Sequence, residues 1–170
     1  MDQNGKRDQM AASAKMARDE IVSSLSECPL FADLDESQIQ AMATVFRLKR
    51  YQAGESIFRQ GDLGDKIHLI QEGEVHLERM VDLGTRQAGV TISVLRRHRL
   101  VGCWACLLGE YRRLHESAVC HKETQIITAK GSDLKAILDH DPQLNVVMLK
   151  RLCQMLGDKI HDAYCAMDAL

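Results

Sequence analysis

The sequence holds 170 residues, 45% of them hydrophobic, with a formal net charge of −2. That length supports one domain with a real core plus some additional helix, and the near-neutral balance supplies no basic field for binding nucleic acid. No apolar run reaches membrane-spanning length, and the first twenty or so residues lack a signal-peptide core, so a soluble, cytoplasmic protein is expected.

Residues 1–7 are polar and are expected to be loose. Met10, Ala14, Ala17, Ile21 and Leu25 then recur at helical spacing, which predicts an amphipathic helix from Asp8 to Ser26. Cys28-Pro29-Leu30-Phe31 breaks it. Asp35 stands as an N-cap with Gln38 at the capping-box position, and Ile39, Met42, Ala43 and Phe46 form the buried stripe of a second, short helix.

From Arg47 the period changes to that of strands. Leu48–Tyr51, Ser56–Arg59, Lys66–Gln71, Glu74–Met80 and Gly89–Leu95 read as short strands between turn residues, and Val119 and Thr124–Thr128 supply later ones. Strands at this spacing suggest a sandwich or jelly roll. In Lys66–Glu72, Ile67, Leu69 and Gln71 point one way and His68, Ile70 and Glu72 the other. Gly61, Gly64 and Gly73 are placed for positive φ, and Gly73 closes a hairpin. Arg96-Arg97-His98-Arg99 is the densest basic run and reads as a solvated turn.

After Lys130-Gly131-Ser132 the helical period returns. Leu134, Ile137 and Leu138 mark a short helix; Asp141 caps the next, with Pro142 in its first turn. That last helix runs towards Met167. Leu149, Leu152, Leu156, Ile160, Ala163 and Met167 form one stripe, widened by Met148 and Met155, suited either to packing on the chain's own roll or to a two-chain seam.

Six cysteines (28, 103, 106, 120, 153 and 165) are expected to be reduced, and only Cys103 and Cys106 form a C-x-x-C pair, so a four-cysteine zinc site is not expected. No G-x-S-x-G elbow, P-loop or H-E-x-x-H is present, so no enzyme is expected.

The stretch Gly61-Asp62-Leu63-Gly64-Asp65, with Ile70, Gly73 and Val75 after it, resembles the signature of the cyclic nucleotide-binding domain family. That family includes catabolite-activator-like bacterial regulators, regulatory subunits of cyclic-AMP-dependent kinase and gated ion channels. The resemblance runs from about Leu25 to the C-terminus. It implies an α+β, mainly β fold: a double-stranded β-helix (jelly roll) flanked by N-terminal helices and a long C-terminal helix. The expected division is a helical arm over 1–26, the roll over 27–141 and a dimerisation helix over 142–170.

The resemblance also places a phosphate-binding cassette over Leu100–Val119, with Gly102, Cys103, Trp104, Ala105, Arg112, Arg113, His115, Ser117 and Ala118 as ligand-binding candidates. Cys103 stands where the family has a ribose-binding glutamate. Counting back from Ser117-Ala118-Val119 puts His115 at the phosphate-binding arginine, with Arg112 or Arg113 as substitutes. A thiol cannot replace two carboxylate acceptors, nor a neutral imidazole a two-pronged guanidinium, so weakened cyclic AMP binding is expected. Trp104 is either core or a stacking platform for a planar ligand.

The function implied is a regulatory small-ligand sensor working as a homodimer through its last helix, with no membrane contact and no DNA binding by this chain alone. A bulky residue at Gly102 should then abolish the ligand response. Two alternatives stand beside it: a ligand-free dimerisation or docking module, and a thiol or haem redox sensor. The second uses Cys103 and Cys106, whose pKa a helix N-terminus would lower, or haem ligands drawn from Cys103, Cys106, His115, Cys120 and His121.

Overall fold

The computed structural model describes residues 3–168. Helix α1 (Gln3–Ser26) leads through a 3-10 turn (Pro29–Phe31) into α2 (Glu36–Ala43). Ten strands follow: β1 (Arg47–Tyr51), β2 (Ser56–Phe58), β3 (Leu63–Gly64), β4 (Lys66–Glu72), β5 (Val75–Asp82), β6 (Gln87–Leu95), β7 (Leu100–Gly102), β8 (Arg112–Arg113), β9 (Ser117–Cys120) and β10 (Thr124–Lys130). A 3-10 turn (Trp104–Leu108) separates β7 from β8, and α3 (Gly131–His140) and α4 (Pro142–Asp168) close the chain.

The strands form two four-stranded sheets, β1-β10-β4-β7 and β2-β9-β5-β6, and a two-stranded pair, β3-β8, with antiparallel pairing throughout. This is the expected roll. β3, β7 and β8 were not foreseen, because two or three residues are too few to show a period.

Two cores explain the layering. One lies between the sheets and holds Phe58, Ile70, Val75, Val101, Ala118 and Ile126. The larger lies between the first sheet and the helices, where Ile67, Leu69 and Ile127 meet Leu25, Phe31, Phe46, Leu134 and Leu144. Strand β4 serves both, so Ile67, His68, Leu69 and Ile70 are all buried and its alternation separates two interiors rather than core from solvent. His68 is consequently 6% exposed, beside Phe58 with ring centroids 5.8 Å apart.

The caps form as their chemistry dictates. Asp35 accepts from the Gln38 N–H at 2.9 Å while the Gln38 side chain accepts from the Asp35 N–H at 3.1 Å, a complete capping box. Asp141 accepts from the N–H groups of Gln143 and Leu144, both at 3.0 Å, at the head of α4. Gly73 holds φ +109°, and a Cβ there would collide with Thr124, so the β4–β5 connection needs glycine. Gly64, by contrast, is not in the positive-φ region.

The terminal helices depart from expectation. Helix α1 begins at Gln3, so residues 3–7 are helical rather than loose. Among the residues whose side chains are described, its buried face starts at Ile21, with Ser24 and Leu25; Ala14 and Met16 are exposed, and the Met10 side chain lies outside the described residues. The stripe expected on α4 divides in two. Leu144, Met148 and Leu152 are buried against the chain's own helices, with Met155 packed beside them. Leu149, Leu156, Ile160, Tyr164 and Met167 are exposed on another face, the side chain of Ala163 lying outside the described residues.

Candidate functional site: a cleft between the cassette and the last helix

The cassette is anchored at both ends. The Arg96–Arg99 turn is bound to β4: the His98 N–H donates to the Ile70 carbonyl at 2.9 Å and the Ile70 N–H to the Arg99 carbonyl at 3.0 Å. His98 takes φ +64°, alone among the described non-glycine residues, and its ring meets Glu27 at 3.3 Å. The turn is solvated as expected, with Arg96, Arg97 and Arg99 exposed, while its backbone is docked on β4. β7 then pairs with β4, setting Gly102 opposite Ile67, and the chain turns at Cys103 into Trp104–Leu108.

Here the roll, the cassette and α4 enclose a cleft of about 400 Å³, within the usual range for small-molecule sites. Its floor comes from Leu77 and Ser93 of the second sheet. Gly102 and Trp104 line it from the cassette, joined by Arg99 and Glu116. The remaining wall is α4, through Met155, Lys159 and Asp162. Lys159 Nζ sits 5.3 Å from the centroid of the Trp104 ring, a cation–π contact that ties the helix to the cassette. Arg99 and Lys159 are balanced by Glu116 and Asp162, so the cleft has no net charge.

Of the candidates drawn from the sequence, the structure brings Gly102 and Trp104 to this cleft and leaves the others outside its lining. Cys103 and Ala118 are buried, and Ala105 is half-buried in the 3-10 turn. Arg112 and Arg113 form the exposed strand β8: Arg112 pairs with Glu110 at 2.8 Å, and Arg113 donates to the Gly61 carbonyl at 2.7 Å. His115 is exposed, and its carbonyl accepts from Arg79 at 3.2 Å. The Ser117 hydroxyl accepts from the Gln60 N–H at 2.9 Å.

Sequence reasoning missed Glu116, although a signal was present. Ala118 and Cys120 face the inter-sheet core, so alternation carried back one step turns Glu116, not His115, inward. It also missed Lys159 and Asp162, which continue the self-packing face of Leu152 and Met155 at helical spacing.

The Cys103–Cys106 pair lacks the exposure that redox chemistry needs. Cys103 and Cys106 are both buried, and burial raises the Cys106 thiol to about 12, the opposite of the lowering expected at a helix start. Cys28 is likewise pushed up to about 11 by burial. Burial also raises Cys120, which lies in the inter-sheet core.

Residues 48–141 match the family model described as "Cyclic nucleotide-binding domain". The chain belongs to the cyclic nucleotide-binding domain family. It is 29% identical to the "Cyclic AMP receptor protein" of Thermus thermophilus over 84% of this chain and 62% of that one, and 24% identical to the "Global nitrogen regulator" of a Nostoc species over 68% and 55%. The chain thus spans less than two thirds of these curated relatives. Among solved structures, it resembles the catabolite activator protein of Thermus thermophilus with TM-score 0.67 and 27% identity, covering 82% of this chain and 62% of that one. A cyclic nucleotide-binding domain from Methylobacillus flagellatus shares the fold with TM-score 0.74 at 20% identity, covering 90% and 83%. The family match and the regulatory relatives support a ligand-sensing regulatory module and favour neither the docking-only nor the redox alternative. No helix among the described residues is long and apolar enough to cross a membrane.

Proposed function

We propose that the cleft between Gly102, Trp104 and α4 is the sensing site, and that its ligand is a cyclic nucleotide with its base against Trp104. One observation carries this reading: the same cavity is walled by the cassette and by α4, with Lys159 lying over Trp104. A ligand stacked on Trp104 competes with Lys159 for the indole face, so occupancy and helix position are coupled. Binding shifts the helix only as far as the ligand prefers one arrangement over the other. In this reading Arg99 and Lys159, the cations that line the cleft, pair with the phosphate and take the part the sequence assigned to Arg112, Arg113 or His115. Glu116 opposes an anion there, so the affinity is expected to be modest.

Thermal unfolding with cyclic AMP, cyclic GMP and cyclic dinucleotides tests this. A ligand bound only by the folded state adds roughly 2.7 kcal/mol at a hundredfold excess over its dissociation constant. The Tm rise with one nucleotide should shrink in Lys159→Ala and Arg99→Ala. No rise with any nucleotide retires the proposed ligand.

In this reading, 27–141 is the sensing roll, 142–170 the output helix and 1–26 an arm. The output partner is a second copy of the chain, seated on the exposed apolar face of α4. Leu149, Leu156, Ile160 and Tyr164 return at coiled-coil-like spacing along that face. Sedimentation should show a dimer that Ile160→Glu converts to monomer; an unchanged dimer places the seam elsewhere.

A further inference from the structure

Away from the cleft, metal-ligating side chains converge at the end of the roll where β5 begins and β9 ends. Glu74 directly precedes β5, His76 lies within it and His121 directly follows β9. The backbone fixes the two loop residues side by side: the His121 N–H donates to the Glu74 carbonyl at 2.9 Å. Glu74 and His76 occupy alternate positions and therefore share a face. The His76 and His121 rings stack with centroids 4.4 Å apart and planes within 5°. One ligand atom from each of Glu74, His76 and His121 lies within 4.8 Å of the other two.

We propose that Glu74, His76 and His121 bind a divalent first-row transition ion of the zinc, cobalt and nickel class. Two imidazoles and a carboxylate suit these ions, whereas calcium and magnesium demand oxygen donors. His76 Nε2 and Glu74 Oε1 are hydrogen-bonded at 3.0 Å, and an ion ~2.1 Å from both takes the place of that shared proton. The carboxylate is held for the purpose: Arg96 grips Oε2, with Nη2 at 2.8 Å and Nε at 2.9 Å, and leaves Oε1 turned to His76. An outer partner of this kind orients a ligating carboxylate. His121 is exposed, so its ring can turn to present a nitrogen, and water completes the coordination. Arg96 and Lys122 are the cations beside Glu74, and they temper the affinity without occupying Oε1.

Titration of the full chain, freed of any affinity tag, with Zn²⁺ by calorimetry and Co²⁺ by absorbance tests the site. One equivalent should bind, without a thiolate-to-cobalt charge-transfer band. Affinity should fall at least about tenfold in both Glu74→Gln and His121→Ala, and persist in a Cys153→Ser/Cys165→Ser variant. Because His121 is exposed, His121→Ala should keep the native melting curve and carries the test even where Glu74→Gln does not fold. Absence of binding, or affinity unchanged in His121→Ala, overturns the proposal. So does a thiolate band, which would put the ion on Cys165 and His161, whose Sγ and Nε2 lie 3.6 Å apart on α4.

Discussion

Gly102→Val should destabilise the chain by about 4 kcal/mol, enough to remove much of the roughly 5–15 kcal/mol that holds a domain together. Gly102 holds φ +121°, and a Cβ there would lie 2.5 Å from the Lys66 carbonyl oxygen and 3.4 Å from Ile67 Cα and His68 Cδ2. The first feature costs about 1–3 kcal/mol for a side chain forced into a disfavoured backbone region. The second costs about another 1–3 kcal/mol, since backbone cannot yield as a flexible side-chain tip can. The damage cannot stay local. β7 pairs with β4 through Ile67 and Gly102, and β4 supplies both cores. Gly102→Val therefore does not separate a ligand-binding reading from a docking one, as the sequence alone suggested it would, because it strikes the fold under either. The midpoint of a urea melt measures the loss. Gly84→Ala is the control: its φ of +82° is also positive, but nothing lies within 4 Å of its Cβ, so about 1 kcal/mol is expected. Equal losses at the two sites would mean that crowding against β4 contributes nothing.

His68 should make stability fall with acid by about 3 kcal/mol. Among the described residues, its Nδ1 is the buried side-chain nitrogen or oxygen without a hydrogen-bond partner. Burial, then the charges of Lys66 and Lys49, lower its pKa from 6.5 to about 4. The folded state therefore refuses a proton that the unfolded chain accepts. Above about pH 6.5 neither state is protonated and the group contributes no slope. As pH falls from 6.5 to about 4 the unfolded state gains protons first, so stability is lost across that window and levels off below it. A shift of this size corresponds to about 3 kcal/mol at 1.36 kcal/mol per unit. His68→Leu removes the titrating group and its unpaired nitrogen. Urea melts at about pH 7 and about pH 4 should show the parent losing about 3 kcal/mol more than His68→Leu. Parallel losses in the two proteins would mean that His68 titrates normally in the fold.

The sequence by itself determined what depends on neighbours along the chain. Asp35 and Gln38, and Asp141 with Pro142, place helix starts through bonds that span three residues. Alternation from Lys66 to Glu72 and the glycine at 73 mark a hairpin, and the order of glycine, aspartate and apolar positions from Gly61 to Val75 suffices to recognise the family. Tertiary structure decided everything that depends on which face meets which. His68 reads as a polar strand residue and is buried only because β4 lies between two cores. The α4 stripe reads as one surface, yet Met148 and Leu152 turn inward while Leu156 and Ile160 turn out, and only the packing partners distinguish them. Arg112 and Arg113 have the right chemistry for phosphate, but pairing with β3 directs them to Glu110 and Gly61. Lys159 meets Trp104 from far along the chain, and Glu74 meets His121 through a backbone bond between two loops. Such contacts are invisible to any local pattern, because the energy that creates them is the burial of cores elsewhere in the molecule.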